Sequence, residues 1–253
     1  MEIRFDTKVV VVTGAANGLG RRFVGDFLAN GARVFCCDVA AEGLDVVRAQ
    51  GADAVVLDLT DRAAAAEWVA RIERDVRGAV DVLVNNAGGF AHAKIRDIAD
   101  VPDDEWDTVM AINPGTAFGL TRAAVPGMKR AGSGRIVNIS SGAGIAASHN
   151  RIYPYVAAKH AVVGLTRQLA DELGAFGITV NAIAPGRVIS KQSSQEAWDR
   201  RSPEEQREHL DRTYMRRLGR PEDVSNALMF LASEHASWIT GQVLAVNGGI
   251  RGS

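Results

Sequence analysis

Lys8-Val9-Val10-Val11-Val12-Thr13 is a nearly unbroken β-branched run, and it leads directly into Gly14-Ala15-Ala16-Asn17-Gly18-Leu19-Gly20 and then a helix-like segment from Arg21 to Ala29. A run that is apolar at every position cannot keep one side in water, so it predicts a strand buried on both faces, as in a parallel sheet. A strand, a glycine turn and a helix N-terminus in that order also hold an anion, because the first N–H groups of the helix and its dipole point into the turn. Gly14 permits the tight turn, Gly18 lets a diphosphate approach the backbone, and Gly20 lets helix and strand pack closely.

The second strand pattern, Arg33-Val34-Phe35-Cys36-Cys37-Asp38, ends in a carboxylate about twenty residues after the glycine turn. An acid there accepts hydrogen bonds from the adenosine ribose hydroxyls and repels a 2′-phosphate, so the expected cofactor is NAD rather than NADP. The alternative is that Asp38 caps the next helix. Arg21 and Arg22 could favour NADP, but both follow the last glycine and are expected on the solvent side of the helix. The only two cysteines, Cys36 and Cys37, are neighbours in a strand, which sends them to opposite faces and makes them packing residues.

With 253 residues, 47% of them hydrophobic, and alternating strand and helix patterns throughout, the chain is expected to form a single α/β domain over residues 1–253. No apolar run is long enough to span a bilayer, and Met1-Glu2-Ile3-Arg4 lacks the shape of a signal peptide, so a cytoplasmic protein is expected. A formal net charge of −1 offers no footprint for nucleic acid or an anionic membrane. His92, His149, His160, His209 and His235 are scattered without ligand spacing, and no metal is expected.

Tyr155-Val156-Ala157-Ala158-Lys159 places a phenol and an ammonium four residues apart in a helical pattern, hence on one face. A cation there can pull a phenol toward ionisation, and a tyrosine with a reference pKa of about 10 needs such help to act as a base near neutrality. Tyr153 is close by, but four residues after it comes Ala157, so only Tyr155 has its lysine.

The glycine spacing taken with Tyr155-x-x-x-Lys159 resembles the short-chain dehydrogenase/reductase family. Further matches follow in the family's order: Asn85-Asn86-Ala87-Gly88 after the strand Val82–Val84, Asn113 in a helical segment, and Ser140-Ser141 after the strand Arg135–Ile139. Pro185-Gly186 after the strand Thr179–Ala184 and Thr240-Gly241 before the strand Val243–Val246 complete the series, so the resemblance runs from Lys8 to Gly249. It implies a Rossmann-type, doubly wound parallel sheet of seven strands in the order 3-2-1-4-5-6-7.

The resemblance also implies roles. Gly14, Asn17, Gly18, Leu19, Gly20, Asp38 and Val39 would line the adenosine end of the cofactor. Asp58 and Leu59, after a third strand ending near Leu57, would meet the adenine edge, although a solvated loop aspartate reads equally well. Asn86, Ala87 and Gly88 would line the nicotinamide ribose, with Asn85 more structural. Pro185, Gly186, Val188 and Ser190 would hold the carboxamide, Ser190 standing where relatives carry Thr. In the catalytic set Ser141 would bond the substrate oxygen, Tyr155 would exchange its proton, and Lys159 would lower the Tyr155 pKa while holding the ribose. Asn113 would kink its helix and bind a water linking Lys159 to solvent. Ser140 is the rival for the serine role; alignment of Asn138-Ile139-Ser140-Ser141-Gly142 with the family's strand end selects Ser141.

Lys191 to Arg212 is highly charged, includes Trp198, and matches the family's variable substrate lid, here around residues 190–213. His149, Arg151, Arg187 and Lys191 fall in segments that border the substrate; they fit either an anionic group on the substrate or ordinary solvated rim charges. The segment between Ser141 and Tyr155 is one residue longer than in the commonest relatives, and Gly142 to Asn150 is mostly small, which leaves room for a bulky substrate. Relatives pair the helices beginning near Asp103 and Tyr155 across a two-fold axis. The apolar surface of Ala157, Ala158, Ala161, Leu165, Leu169 and Leu173 is consistent with a homotetramer. The expected activity is NAD-dependent oxidation of a secondary alcohol or reduction of a ketone, a small-molecule substrate. The alternatives are a 3-oxoacyl-thioester reductase using NADPH and a non-catalytic NAD-binding sensor.

Overall fold

In the computed structural model, which describes residues 2–148 and 152–249, the β-branched runs become the centre of one sheet. Its strands are β1 (Val9–Thr13), β2 (Arg33–Asp38), β3 (Asp53–Val56), β4 (Val82–Asn85), β5 (Gly134–Ile139), β6 (Ile178–Pro185) and β7 (Val243–Val246). They are ordered 3-2-1-4-5-6-7, and every pairing is parallel. All five residues of β1 and all eight of β6 are buried, as strands covered on both faces must be.

Alternation along the strands feeds two cores. Val10, Val12, Val34 and Cys36 face one side, where α1 (Gly18–Ala29), α2 (Ala41–Ala49) and α9 (Pro221–Ala232) pack. Val9, Val11, Phe35 and Cys37 face the other, under α3 (Arg62–Val76), α5 (Thr116–Ala131) and α6 (Tyr153–Leu173). The adjacent cysteines thus lie in opposite cores as free thiols, and burial pushes Cys36 up to about 12 and Cys37 higher still. Each fully buried valine or isoleucine of this sheet contributes roughly 1.5–3 kcal/mol.

The remaining helices shape the sheet's carboxyl edge. α4 (Asp103–Met110) runs through a π-helical turn, Ala111–Gly115, into α5, and Pro114 inside that turn has no N–H to continue a regular ladder. The charged lid segment forms α7 (Gln192–Asp199) and α8 (Pro203–Asp211), with Trp198 buried at 8% exposure. Strand order reverses between β1 and β4, and there the loops from the carboxyl ends of neighbouring strands diverge to open a crevice.

Candidate active site

The glycine turn closes as its sequence demands. Gly14 and Gly18 adopt φ of +67° and +57°, where a side chain is strained, and a Cβ on Gly20 would collide with the Gly14 carbonyl. The helix therefore begins hard against β1. Asn17, exposed at the N-cap of α1, makes no side-chain cap, so among the described residues no side chain there accepts from the opening N–H groups of the helix. Ser190 closes the turn from across the crevice: its Oγ is 3.2 Å from the Cβ position of Gly18.

Asp38 is pinned where the second strand ends. One carboxylate oxygen accepts from the Ala16 N–H (2.9 Å) and the other from the Ala40 N–H (3.0 Å). A carboxylate with one backbone donor on each oxygen keeps further lone pairs free for ribose hydroxyls. Arg22 pairs with Asp26 and Glu222. Arg21 departs from expectation: it is not a solvent-facing helix residue but folds back so that its guanidinium donates to the Ala16 carbonyl. That carbonyl stands at the head of a helix with no acid in its first turn, and the cation is drawn onto it.

The adenine edge is settled less by side chains than the resemblance implied. Asp58 accepts from both the N–H and the hydroxyl of Thr60, bonds that hold its carboxyl below the usual range. The Leu59 side chain is buried at 6% exposure in the core and faces away from the crevice rim, whereas Val39 is 67% exposed beside Asp38.

After β4, Asn86 sends its amide to the Thr13 and Gly14 carbonyls (2.9 and 3.1 Å), tying this turn to the glycine turn. Thr13 accepts from the Asn86 and Ala87 N–H groups (3.0 and 2.8 Å) through its hydroxyl. Asn85 is structural, as expected: it donates to Thr121 and to Asn138, and Asn138 donates to Thr166, all buried. Thr13 and Asn138 are essential to this scaffold yet drew no notice in the sequence. The one available signal was a polar residue inside an otherwise apolar strand, which has to find a buried partner.

Ser141, Tyr155, Lys159 and Asn113 are brought to the same edge. Ser141 follows β5, accepts from the Ala143 N–H (3.2 Å) and hydrogen-bonds Tyr155. Ser140 instead donates to the Lys159 carbonyl (3.0 Å) from a buried position, which separates the two serines physically. The buried Lys159 ammonium donates to the Ile139 carbonyl (2.9 Å) and stands 5.6 Å from the Tyr155 ring centre. Asn113 accepts from the Gly89 N–H (3.0 Å) and spends both amide hydrogens on the Gly89 and Val109 carbonyls, clamping the π-turn to the β4 loop. With both amide hydrogens in use, a water at Asn113 would be held through a carbonyl oxygen that accepts from it. A Cβ on Gly88 would strike the Asn113 Oδ1, so glycine is required at that approach.

Electrostatics correct one expectation. Burial pushes the Tyr155 phenol above its ordinary value, with the Ser141 hydrogen bond pulling the other way, so the net shift is upward. Lys159 itself is pulled down to about 8 by desolvation. Phe90 stacks on Tyr155 at 4.1 Å between ring centres and remains 45% exposed. It sits in a loop where Gly88, Gly89 and Ala91 all have positive φ, a contact no sequence period could reveal.

Of the four cations bordering the substrate, His149 and Arg151 lie outside the described residues, as does Asn150 of the small-residue stretch. Lys191 is exposed and Arg187 is half-buried. Pro185 is buried, and Val188 bridges to Gly219, fixing the loop after β6.

Glycines that admit no side chain, helix N–H groups that no side chain caps and a pinned acid at the second strand fit a dinucleotide. The chain belongs to the short-chain dehydrogenase/reductase family of NAD(P)-dependent oxidoreductases that act on alcohols and ketones. Residues 14–251 match the family model described as enoyl-(acyl carrier protein) reductase. Among curated relatives, 3-oxoacyl-[acyl-carrier-protein] reductase FabG of Thermotoga maritima is 36% identical over 98% of this chain and 99% of its own. Galactitol 2-dehydrogenase (L-tagatose-forming) of Cereibacter sphaeroides is 38% identical over 97% and 96%. The solved structure of 7α-hydroxysteroid dehydrogenase complexed with NADH and 7-oxo glycochenodeoxycholic acid superposes with a TM-score of 0.86 at 32% identity, covering 98% of this chain and 95% of that one.

Proposed function

We propose that this oxidoreductase uses NAD and interconverts a secondary alcohol and its ketone, with Tyr155 as general acid/base. The observation that carries the cofactor choice is Asp38, held by the Ala16 and Ala40 N–H groups in the position where a 2′-phosphate would have to sit against a carboxylate. A relative solved with NADH agrees with it. When bound, the nicotinamide supplies the hydride exchange that no side chain can perform.

The chain's own groups do the rest. Ser141 donates to the substrate oxygen, and Tyr155, hydrogen-bonded to Ser141, passes its proton to or from that same oxygen. Lys159 keeps a positive charge near the phenol and thereby favours the phenolate when it forms. Asn113 positions the Gly89 loop and, through it, Phe90 over Tyr155. Gly14, Asn17, Gly18, Leu19 and Gly20 receive the diphosphate. Asp38, Val39, Asp58 and the Leu59 backbone border the adenosine, and Asn86, Ala87, Gly88, Pro185, Gly186, Val188 and Ser190 border the nicotinamide end.

A second reading, a 3-oxoacyl-thioester reductase using NADPH, is favoured by the FabG relative and by Arg21 folded against the glycine turn. Asp38 stands against it. Initial rates with NAD and NADP over secondary alcohols, sugars, hydroxy acids and hydroxyacyl thioesters separate the two, and NADP preference with the thioester would reverse the choice. Tyr155→Phe is expected to lower kcat about 10²–10⁴-fold while NAD still binds. Because the phenol lies high, alcohol oxidation should rise as pH increases above neutrality and ketone reduction should fall.

A homotetramer in the cytoplasm completes the proposal. Exposed Trp106 and Phe118 on α4 and α5, and Trp238 (99% exposed) with Leu244 near the last strand, supply two separate apolar surfaces. On α6, Ala158 and Leu173 are fully buried in the core, so that helix offers less spare surface than its sequence promised. Free, buried cysteines agree with a reducing compartment. A monomer mass by light scattering would remove the tetramer.

A further inference from the structure

Arg187 is a charge that the cofactor site does not use. It follows Gly186 at the carboxyl edge of β6, is half-buried, and its guanidinium meets no hydrogen-bond acceptor or carboxylate among the described residues. It lines a cavity of about 400 Å³ together with His209, Thr213 and Asn247. Beside the cavity wall, the Arg201 side chain meets, among the described residues, the face of Trp198 at 5.8 Å, and the ring of His209 meets the same indole at 5.5 Å.

The acids that could neutralise these cations are committed elsewhere. Asp223, the one acid on the cavity wall, is held by both terminal nitrogens of Arg217 (2.6 and 2.8 Å) and by the Arg220 N–H. Glu208 pairs with Arg212, Asp211 with Arg216, and Asp199 accepts from Gln195. Burial and the neighbouring Arg201 lower the Arg187 pKa, while burial, then Arg187, Arg201 and Arg212 hold His209 below its ordinary value, the mark of an unbalanced positive potential. A cation withdrawn from water without a counter-charge is costly, and an anion entering the cavity removes that cost.

The loop that carries Arg187 into the cavity starts beside the reaction centre. Arg187 lies two residues beyond Pro185, whose carbonyl is 3.6 Å from the Cβ position of Gly142, the neighbour of Ser141. We infer that the cavity at Arg187, with Arg201 and His209, receives an anionic group, a carboxylate or a phosphate, carried by the substrate whose carbinol or carbonyl end meets Ser141 and Tyr155. The inference rests on the proposed alcohol/ketone chemistry only in treating that anion as part of the substrate. Carboxylates and phosphates share the recognition, bidentate bonding to a guanidinium.

The test is calorimetric titration of the protein, saturated with NAD so that the glycine turn is filled, with succinate and separately with inorganic phosphate, at ionic strength matched by chloride. Wild type is expected to bind at least one of them, and Arg187→Met to bind it about ten- to hundredfold more weakly, with Arg187→Lys in between. Succinate alone would mark a carboxylate and phosphate alone a phosphate ester. No binding by wild type, or equal binding by Arg187→Met, overturns the site. Should Arg187→Met fail to fold, Arg201→Met carries the comparison, and in wild type the His209 proton titration followed by NMR must move upward when the anion is added. Loss of NAD binding would instead break the cofactor reading and leave the anion result standing. A hydroxy acid preferred over its own amide by wild type, with that preference lost in Arg187→Met, ties the anion to the substrate; a preference unchanged in the variant overturns that link.

Discussion

Helix α6 and the two lid helices are held in place by different forces. α6 buries Ala158, Lys159, Val162, Val163, Thr166, Ala170 and Leu173, and the Asn138–Thr166 bond stitches it to β5. α7 and α8 together bury only Trp198. Their order comes from local bonds: Ser202 and Glu205 cap one another at the start of α8, and Ser194 bonds the backbone of Ser190 and Lys191. The groups proposed for proton transfer therefore move only if the global core moves, whereas the surface proposed to select the substrate opens at a fraction of that free energy.

The sharpest way to break this contrast is to perturb Lys159. Its folded pKa of about 8 lies below the reference 10.5, so between those values the unfolded chain binds more protons and stability rises with pH; below 8 the full cost of the buried charge is present. That cost is on the order of 3 kcal/mol. The stability of wild type relative to Lys159→Met, from urea denaturation, should accordingly grow by about that amount between pH 7 and pH 10.5; a flat difference would show that the ammonium is solvated.

Asn138→Ala comes next. It leaves the Asn85 amide and the Thr166 hydroxyl with a missing partner in a fully buried network, and should cost roughly 1–3 kcal/mol in the same assay. Ser202→Ala removes a cap worth about 1 kcal/mol, but from the lid. Amide exchange in α8 should quicken and KM should rise, with the global unfolding midpoint nearly unchanged; a shift in that midpoint would mean the lid belongs to the core after all. The smallest effect is expected for Arg207→Ala, whose exposed pair with Glu204 at 3.7 Å contributes under about 1 kcal/mol.

Much of the scaffold was legible because it rests on local rules. The β-branched run of β1 and the bounds of β2 and β7 follow from short apolar runs, and the opposite faces of Cys36 and Cys37 follow from a period of two. Tyr155 and Lys159 were legible for the same reason, a spacing of four on one helix. Arg21 was misread because its partner, the Ala16 carbonyl, lies in a turn whose path a helical pattern does not describe. The direction of the Leu59 side chain was not legible, because a loop residue beside a strand can turn either way, and the core claimed it.

The sequence by itself determined the alternating α/β scaffold, the glycine turn, the acid after the second strand and the pairing of Tyr155 with Lys159, since each depends on residues near one another in the chain. Only the tertiary structure decided which serine faces Tyr155, that burial raises that phenol and lowers Lys159, that Phe90 covers the site, and that Arg187 lacks a counter-charge. Those properties arise from desolvation and from contacts between segments far apart in sequence, and no local pattern carries them.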